Sequence, residues 1–149
     1  MVAGDPTVPP APLLSVASLR VSARSGEILR GVDLRVGAGE VTGVVGESGC
    51  GKSTLGLAVL GLLGRTRSVT GGEIRLDGEV IGAPSVDRAA GLRGSRVSFV
   101  PQDPFRAFDP LRRVGPQVRR PLELHRGLDA GAADRRGAGP VSYTHLRAH

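Results

Sequence analysis

Residues 37–55 read GAGEVTGVVGESGCGKSTL. Inside them VTGVVG, 41–46, is a short run rich in valine and bounded by glycines. It lacks the polar alternation of a half-buried strand, which fits a strand covered on both faces in a parallel sheet. Residues 46–53, G-E-S-G-C-G-K-S, match G-x-x-x-x-G-K-[ST]. KSTLGLAVLGLLG, 52–64, then places Leu55, Ala58, Val59 and Leu62 at helical spacing, with Gly64 as a stop.

The chemistry of that spacing points to polyphosphate. Gly46, Gly49 and Gly51 let the backbone curl so that successive N–H groups converge, and Glu47, Ser48 and Cys50 contribute theirs from between them. The loop feeds a helix N-terminus, whose free N–H groups carry about half a positive charge. Lys52 adds a full charge able to reach β- and γ-phosphates. The Ser53 hydroxyl is placed to ligate Mg2+, and Thr54 to serve the α-phosphate region. A chance match is the alternative in a chain with 23 glycines. Two things favour the site: the strand-then-helix context, and the fact that Lys52 is the single lysine beside 19 arginines. A compact ammonium is kept where a guanidinium would not serve. Cys50, in the loop at a helix start, is either a reactive thiol or an inert small residue.

Upstream, residues 1–12 form a Pro-rich flexible arm. LLSVASLRV, from Leu13, reads as a strand with Leu14, Val16 and Val21 inward. EILRGVDLRV reads as a second strand region after a turn near Ser25-Gly26, and ends at the Gly37-Ala38-Gly39 turn. Downstream, GGEIRLDGEVI (71–81) reads as a hairpin with Asp77-Gly78 as a type I′ turn. Residues 86–94 suit a short helix. RVSFVPQ (96–102) reads as another buried strand, and Val114–His125 as a helix interrupted near Pro121. In 127–140 the apolar period fades, leaving linker and fraying helix both open. VSYTHLRAH (141–149) resembles a translated transposon-end sequencing adapter and is set aside as a non-native tail. His145 and His149 go with it, and the native protein is expected to continue past residue 140.

The formal charge is +6. It is not read as a nucleic-acid footprint: the arginines are scattered, no asparagine is present, and Phe99, Phe105, Phe108 and Tyr143 are the only aromatics. Arginine in place of lysine matches a genome rich in G and C. With one cysteine there is no internal disulfide framework. Without an apolar span or a leader, the sequence reads as cytoplasmic.

These residues resemble the ATP-binding subunits of ABC transporters. The resemblance rests on 37–55, on two strand regions before the loop, on the hairpin after its helix, and on VSFVPQDP (97–104), which is similar to the family's Q-loop. QDPFRAFDPLRRVGPQVRRPL (102–122) is similar to importers of oligopeptides, dipeptides and nickel, with their QDP…NP…VG.Q pattern. Asp109 stands where that pattern has asparagine.

The resemblance covers residues 13–126, as the N-terminal part of an ABC ATP-binding domain. It implies an α/β P-loop NTPase fold of the ABC ATPase type, incomplete here: the antiparallel β subdomain plus the start of the RecA-like parallel-sheet core. It implies ATP and Mg2+ as cofactors, with Gly46, Glu47, Ser48, Gly49, Cys50, Gly51, Lys52, Ser53, Thr54 and Gln102 around the nucleotide, and Ser53 and Gln102 at the metal. It implies membrane subunits as partners through 103–112, a second ATPase subunit (the same chain or a related one), and a place on the inner face of the cell membrane. The function implied is coupling of ATP binding and hydrolysis to import, of peptides by the Q-loop pattern.

Two departures stand out. Ala23 occupies the place of the family's adenine-stacking aromatic, with Arg24 as a possible substitute. There is also no LSGGQ-like signature, no apolar strand ending in Asp-Glu, and no switch histidine, His125 being too early. The chain therefore carries half a nucleotide site. A soluble ABC-type ATPase acting on DNA, and an inactive fragment, are the alternatives. A nucleotide kinase or GTPase is disfavoured by the strands ahead of the loop.

Overall fold

The computed structural model describes residues 11–103 and 107–141. Most of the Pro-rich arm, residues 104–106, and residues 142–149 of the tail lie outside the described residues. The chain forms two compact units, Met1–Arg93 and Gly94–His149.

The first unit is built on a five-stranded antiparallel sheet: β1 (Leu14–Ala23), β2 (Gly26–Val36), β3 (Arg67–Leu76), β4 (Glu79–Ala83) and β5 (Val86–Asp87), in the order β2-β1-β3-β4-β5. The expected hairpin at Asp77-Gly78 forms, and the two strand regions ahead of the loop also pair as a hairpin. Ala23 pairs with Gly26 across the first turn, and Leu76 pairs with Glu79 across the second. Asp77 and Gly78 both have positive φ, 49° and 78°, as a type I′ turn requires. Val16, Leu19, Val21, Leu29, Ile74, Leu76 and Ile81 are buried; Leu14 is only half-buried. Each fully buried aliphatic side chain contributes about 1.5–3 kcal/mol.

The ladders of β1 shift register at several places, and one of them is braced by a side chain. β1 bulges between Val16 and Leu19, where Ser18 has φ 46° and donates its N–H to Asp33 Oδ1 at 2.8 Å. Gly72, φ 72°, lies against this bulge; a Cβ there would collide with the carbonyl oxygens of Ala17 and Ser18. Only glycine fits.

Between β2 and β3 the chain makes an excursion that carries the phosphate loop and α1 (Lys52–Val59). It leaves at Val36, which pairs with Leu14, and returns at Arg67, which pairs with Ala23. The ten residues of β1 therefore separate its ends by about 30 Å. Thr54, Leu55 and Ala58 are the buried residues of α1, with Leu60 and Leu63 buried just after it. Leu62, expected on the inner face, is exposed, because the helix ends at Val59 and a turn rotates the following residues. Arg93 Nη1 donates to the carbonyls of Leu60 (3.1 Å) and Gly61 (3.2 Å), closing the helix C-terminus with a cation from far along the chain.

Two expected strands are absent. Residues 41–46 and 98–101 are irregular and have no ladder partner among the described residues. Val41 is 97% exposed, Val45 93% and Val100 84%, the reverse of a doubly covered core. A parallel strand holds its shape only through neighbours on both sides, and neither segment has one. The antiparallel sheet is thus formed, while 41–46 and 98–101, expected to start the parallel core, are unpaired among the described residues. The short helix expected over 86–94 is instead β5 followed by a 3-10 turn at Ala89–Leu92.

In the second unit α2 (Val114–Arg126) runs through Pro121 without a break, and α3 spans Ala130–Val141. The open choice at 127–140 resolves to a helix. Gly127, φ 61°, ends α2 with its N–H on the Glu123 carbonyl. Asp129 then caps α3, its Oδ1 accepting from Ala132 N at 2.8 Å. Ala133 is fully buried between the helices, beside Val118 and Gly137 in the contact they share.

Candidate functional site: a phosphate-binding loop

Two glycines of the loop take backbone conformations that favour glycine. Gly49 and Gly51 have φ 84° and 102°, and Cys50 N–H closes a turn on the Glu47 carbonyl at 3.4 Å. Gly51 also sits tight against β2: a Cβ there would strike the Leu29 side chain and lie 3.5 Å from the Ile28 carbonyl oxygen. The start of α1 is therefore seated directly on the sheet.

That helix start is left electrically open. Gly51 is its N-cap and supplies no side-chain acceptor, and the first turn holds no acidic residue. The first intrahelical bond runs from Leu55 N–H to the Gly51 carbonyl, so the preceding N–H groups have no partner within the helix. An anion is the natural occupant of such an end.

Lys52 supplies the full charge. Its Nζ folds back over the loop and donates to the carbonyls of Gly46 (2.7 Å) and Glu47 (2.6 Å), with Cys50 Sγ at 3.6 Å. The ammonium is held at the centre of the curl by loop oxygens rather than extended into solvent. Ser53 is exposed, and Thr54 is buried on the inner side of α1. Cys50 is exposed. This donor set fits a polyphosphate. No cluster of three or more His, Cys, Asp or Glu side chains capable of holding a metal occurs among the described residues. A divalent ion here would rest on phosphate oxygens plus the Ser53 hydroxyl.

Gln102 belongs to the second unit, exposed in a bend that follows 98–101. Loop residues 46–54 come together in the first unit; Gln102 is carried separately. Ala23 is half-buried at the end of β1, and Arg24 is exposed in the turn beyond it. The His125 ring packs on Gly94, φ 80°, where a Cβ would overlap it, so this histidine is a packing residue of its own unit.

Gln117 is the residue whose role the sequence did not disclose. It is half-buried in the first turns of α2. Its Oε1 accepts from Asp109 N at 2.8 Å, and its Nε2 donates to the carbonyls of Asp109 (3.1 Å), Arg112 (3.1 Å) and Arg113 (3.3 Å). The glutamine of the VG.Q pattern was visible, but nothing in its spacing revealed that it reaches back onto the preceding segment.

A P-loop seated on an antiparallel sheet defines the class, and comparison with known proteins agrees. The chain matches the ABC transporter family over residues 29–135 and belongs to it. It is 38% identical over 112 residues to an oligopeptide transport ATP-binding protein of Lactococcus lactis, covering 75% of this chain and 33% of that protein. It is 36% identical over 130 residues to a protein of Brucella abortus named as a putative peptide import ATP-binding protein, covering 85% of this chain and 39% of that one. It is 37% identical over 131 residues to an oligopeptide transport ATP-binding protein of Mycobacterium tuberculosis, covering 85% and 21% respectively. The chain thus spans roughly a fifth to two fifths of the length of these relatives.

Proposed function

We propose that the whole protein is the ATP-binding subunit of an ABC importer that couples ATP binding and hydrolysis to uptake of peptides. The observation that carries this reading is the Lys52 ammonium, held at the mouth of an uncapped helix start by the loop it serves. A nucleotide polyphosphate would take over the charge now shared among loop carbonyls. Gly46, Glu47, Ser48, Gly49, Cys50 and Gly51 wrap it with backbone, and Thr54 supports the helix start. Bound Mg2+ would neutralise charge developing on the phosphates, with Ser53 and Gln102 as its side-chain ligands.

The similarity to peptide importers, by sequence pattern and by the names of the relatives, supports peptides as cargo and membrane subunits as the partners of 103–112. It also supports a second ATPase subunit to complete the site, and a position at the inner face of the membrane. No helix among the described residues is long and apolar enough to cross a membrane, so attachment would be through partners. Nucleic acid is not among them.

The test is calorimetry of MgATP on the whole protein and on its Lys52→Ala variant. Loss of a charge-assisted contact worth about 1.5–3 kcal/mol lowers affinity by about 10- to 150-fold. Equal affinity would end the phosphate-loop assignment.

A further inference from the structure

Ahead of α2, residues 108–113 form bends and turns, and they are tightly held. One carboxamide, that of Gln117, engages the backbone at Asp109, Arg112 and Arg113 with every polar atom it has. Asp109 adds a second brace: its Oδ1 accepts from Leu111 N at 2.9 Å, an Asx turn, and its Oδ2 lies 3.4 Å from Arg112 Nε. At the crest of this braced turn stands Leu111, 94% exposed.

A lone exposed leucine means little by itself. Its setting is what matters. Ordering a backbone residue opposes folding by about 1–2 kcal/mol, and an irregular surface turn has no core to offset it. Here a half-buried amide supplies the offset, and the one large apolar side chain on the crest is given a fixed direction. The neighbouring Arg112 is turned back onto Asp109. A turn ordered in advance docks without a further entropic loss, which is how preorganisation raises affinity.

We propose that Gln117 is the positioning residue of segment 109–113, holding Leu111 in place to enter an apolar socket on the membrane subunit. This rests on the reading of 103–112 as the segment that meets that subunit, and adds which side chain enters and what aims it. Aspartate, standing where the importer pattern has asparagine, offers two oxygens to this brace, one to Leu111 N–H and one facing Arg112 Nε.

The experiment uses the whole protein assembled with its membrane subunits, with a photo-crosslinking amino acid at position 111. We expect a crosslink to the membrane subunit in an otherwise unchanged protein. Gln117→Glu retains the acceptor but puts a carboxylate against three carbonyls; crosslink yield and peptide uptake should each fall at least fivefold, with MgATP affinity within twofold. Leu111→Ser, which leaves both braces intact, should lower uptake as much, so the result does not depend on Gln117→Glu folding. Equal crosslinking with and without Gln117→Glu overturns the role of Gln117 and leaves the docking of 103–112 standing. No crosslink in the unaltered protein, with uptake intact, overturns both.

Discussion

The antiparallel sheet and the two Val-rich segments, 41–46 and 97–100, make an instructive contrast. The long strands β1 and β2 mix buried and exposed positions, while the two segments are short apolar runs, and by composition all suit strands. The sheet forms because each of its strands meets its partner within the same stretch of chain, across a two-residue turn or a single excursion. The segments 41–46 and 98–101 do not form strands, because apolar character alone does not satisfy backbone N–H and C=O groups. Strand character at these positions belongs to the assembled sheet rather than to the segment.

The largest expected effect follows from this. Residues 1–140, purified alone, should self-associate and release no phosphate above the Lys52→Ala background, since exposed apolar chain and unpaired backbone favour association. Val45→Lys with Val100→Lys should shift the same chain toward monomer in sedimentation, yet prevent folding of the whole protein, where those positions are to be covered. A cooperative monomer with Lys52-dependent turnover would abolish the contrast. A smaller effect tests the sheet itself. Gly72→Ala combines a positive φ with a collision against the Ala17–Ser18 bulge, and should destabilise the sheet by more than about 2 kcal/mol. Amide exchange at Val21 and Ile74 should accelerate by well over tenfold, while exchange at 41–46 stays fast in both proteins.

Next in size is occlusion at the loop. Labelling of the exposed Cys50 by a bulky thiol reagent should slow several-fold when MgATP is bound to the whole protein; equal rates under confirmed binding would place the nucleotide elsewhere. The smallest effect concerns Glu73. Its side chain pairs twice with Arg75, at 2.7 and 3.0 Å, and this hydrogen bonding holds its carboxyl below the ordinary value. A lowered folded-state value stabilises above the unfolded-state value and is lost as pH falls through the folded one. Glu73→Gln should therefore speed exchange in β3 slightly at neutral pH, with the difference vanishing in acid. A difference that persists in acid would mean that the pair is not its cause.

Much of this was legible beforehand. Asp77-Gly78, Gly51-Lys52-Ser53 and the alternation in β1 carry local chemistry, so turn, loop and strand could be read from neighbours in sequence. What could not be read was set by distance or by absence. The Gly72 contact requires knowing that β3 crosses the bulge in β1. The Arg93 bonds to Leu60 and Gly61 join residues 32 and 33 positions apart. The Gln117 clamp bends back over a segment with no period of its own. α3 was signalled by Asp129, a plain N-cap, and stayed open between linker and helix because Gly131 and Gly137 weaken its helical pattern. The misplaced strands at 41–46 and 96–102 came from reading composition as if the partner strands were present.

The arrangement of the ladders also bears on how the protein is made. Every pairing of the sheet is closed by Asp87. A nascent chain could therefore settle this sheet on the ribosome soon after Asp87 clears the exit tunnel, while the residues that follow are still inside it. Gly51, resting on Leu29, would then already have been placed. Translation would leave the phosphate loop anchored at one end to an already formed sheet, with residues 41–46 outside its ladders.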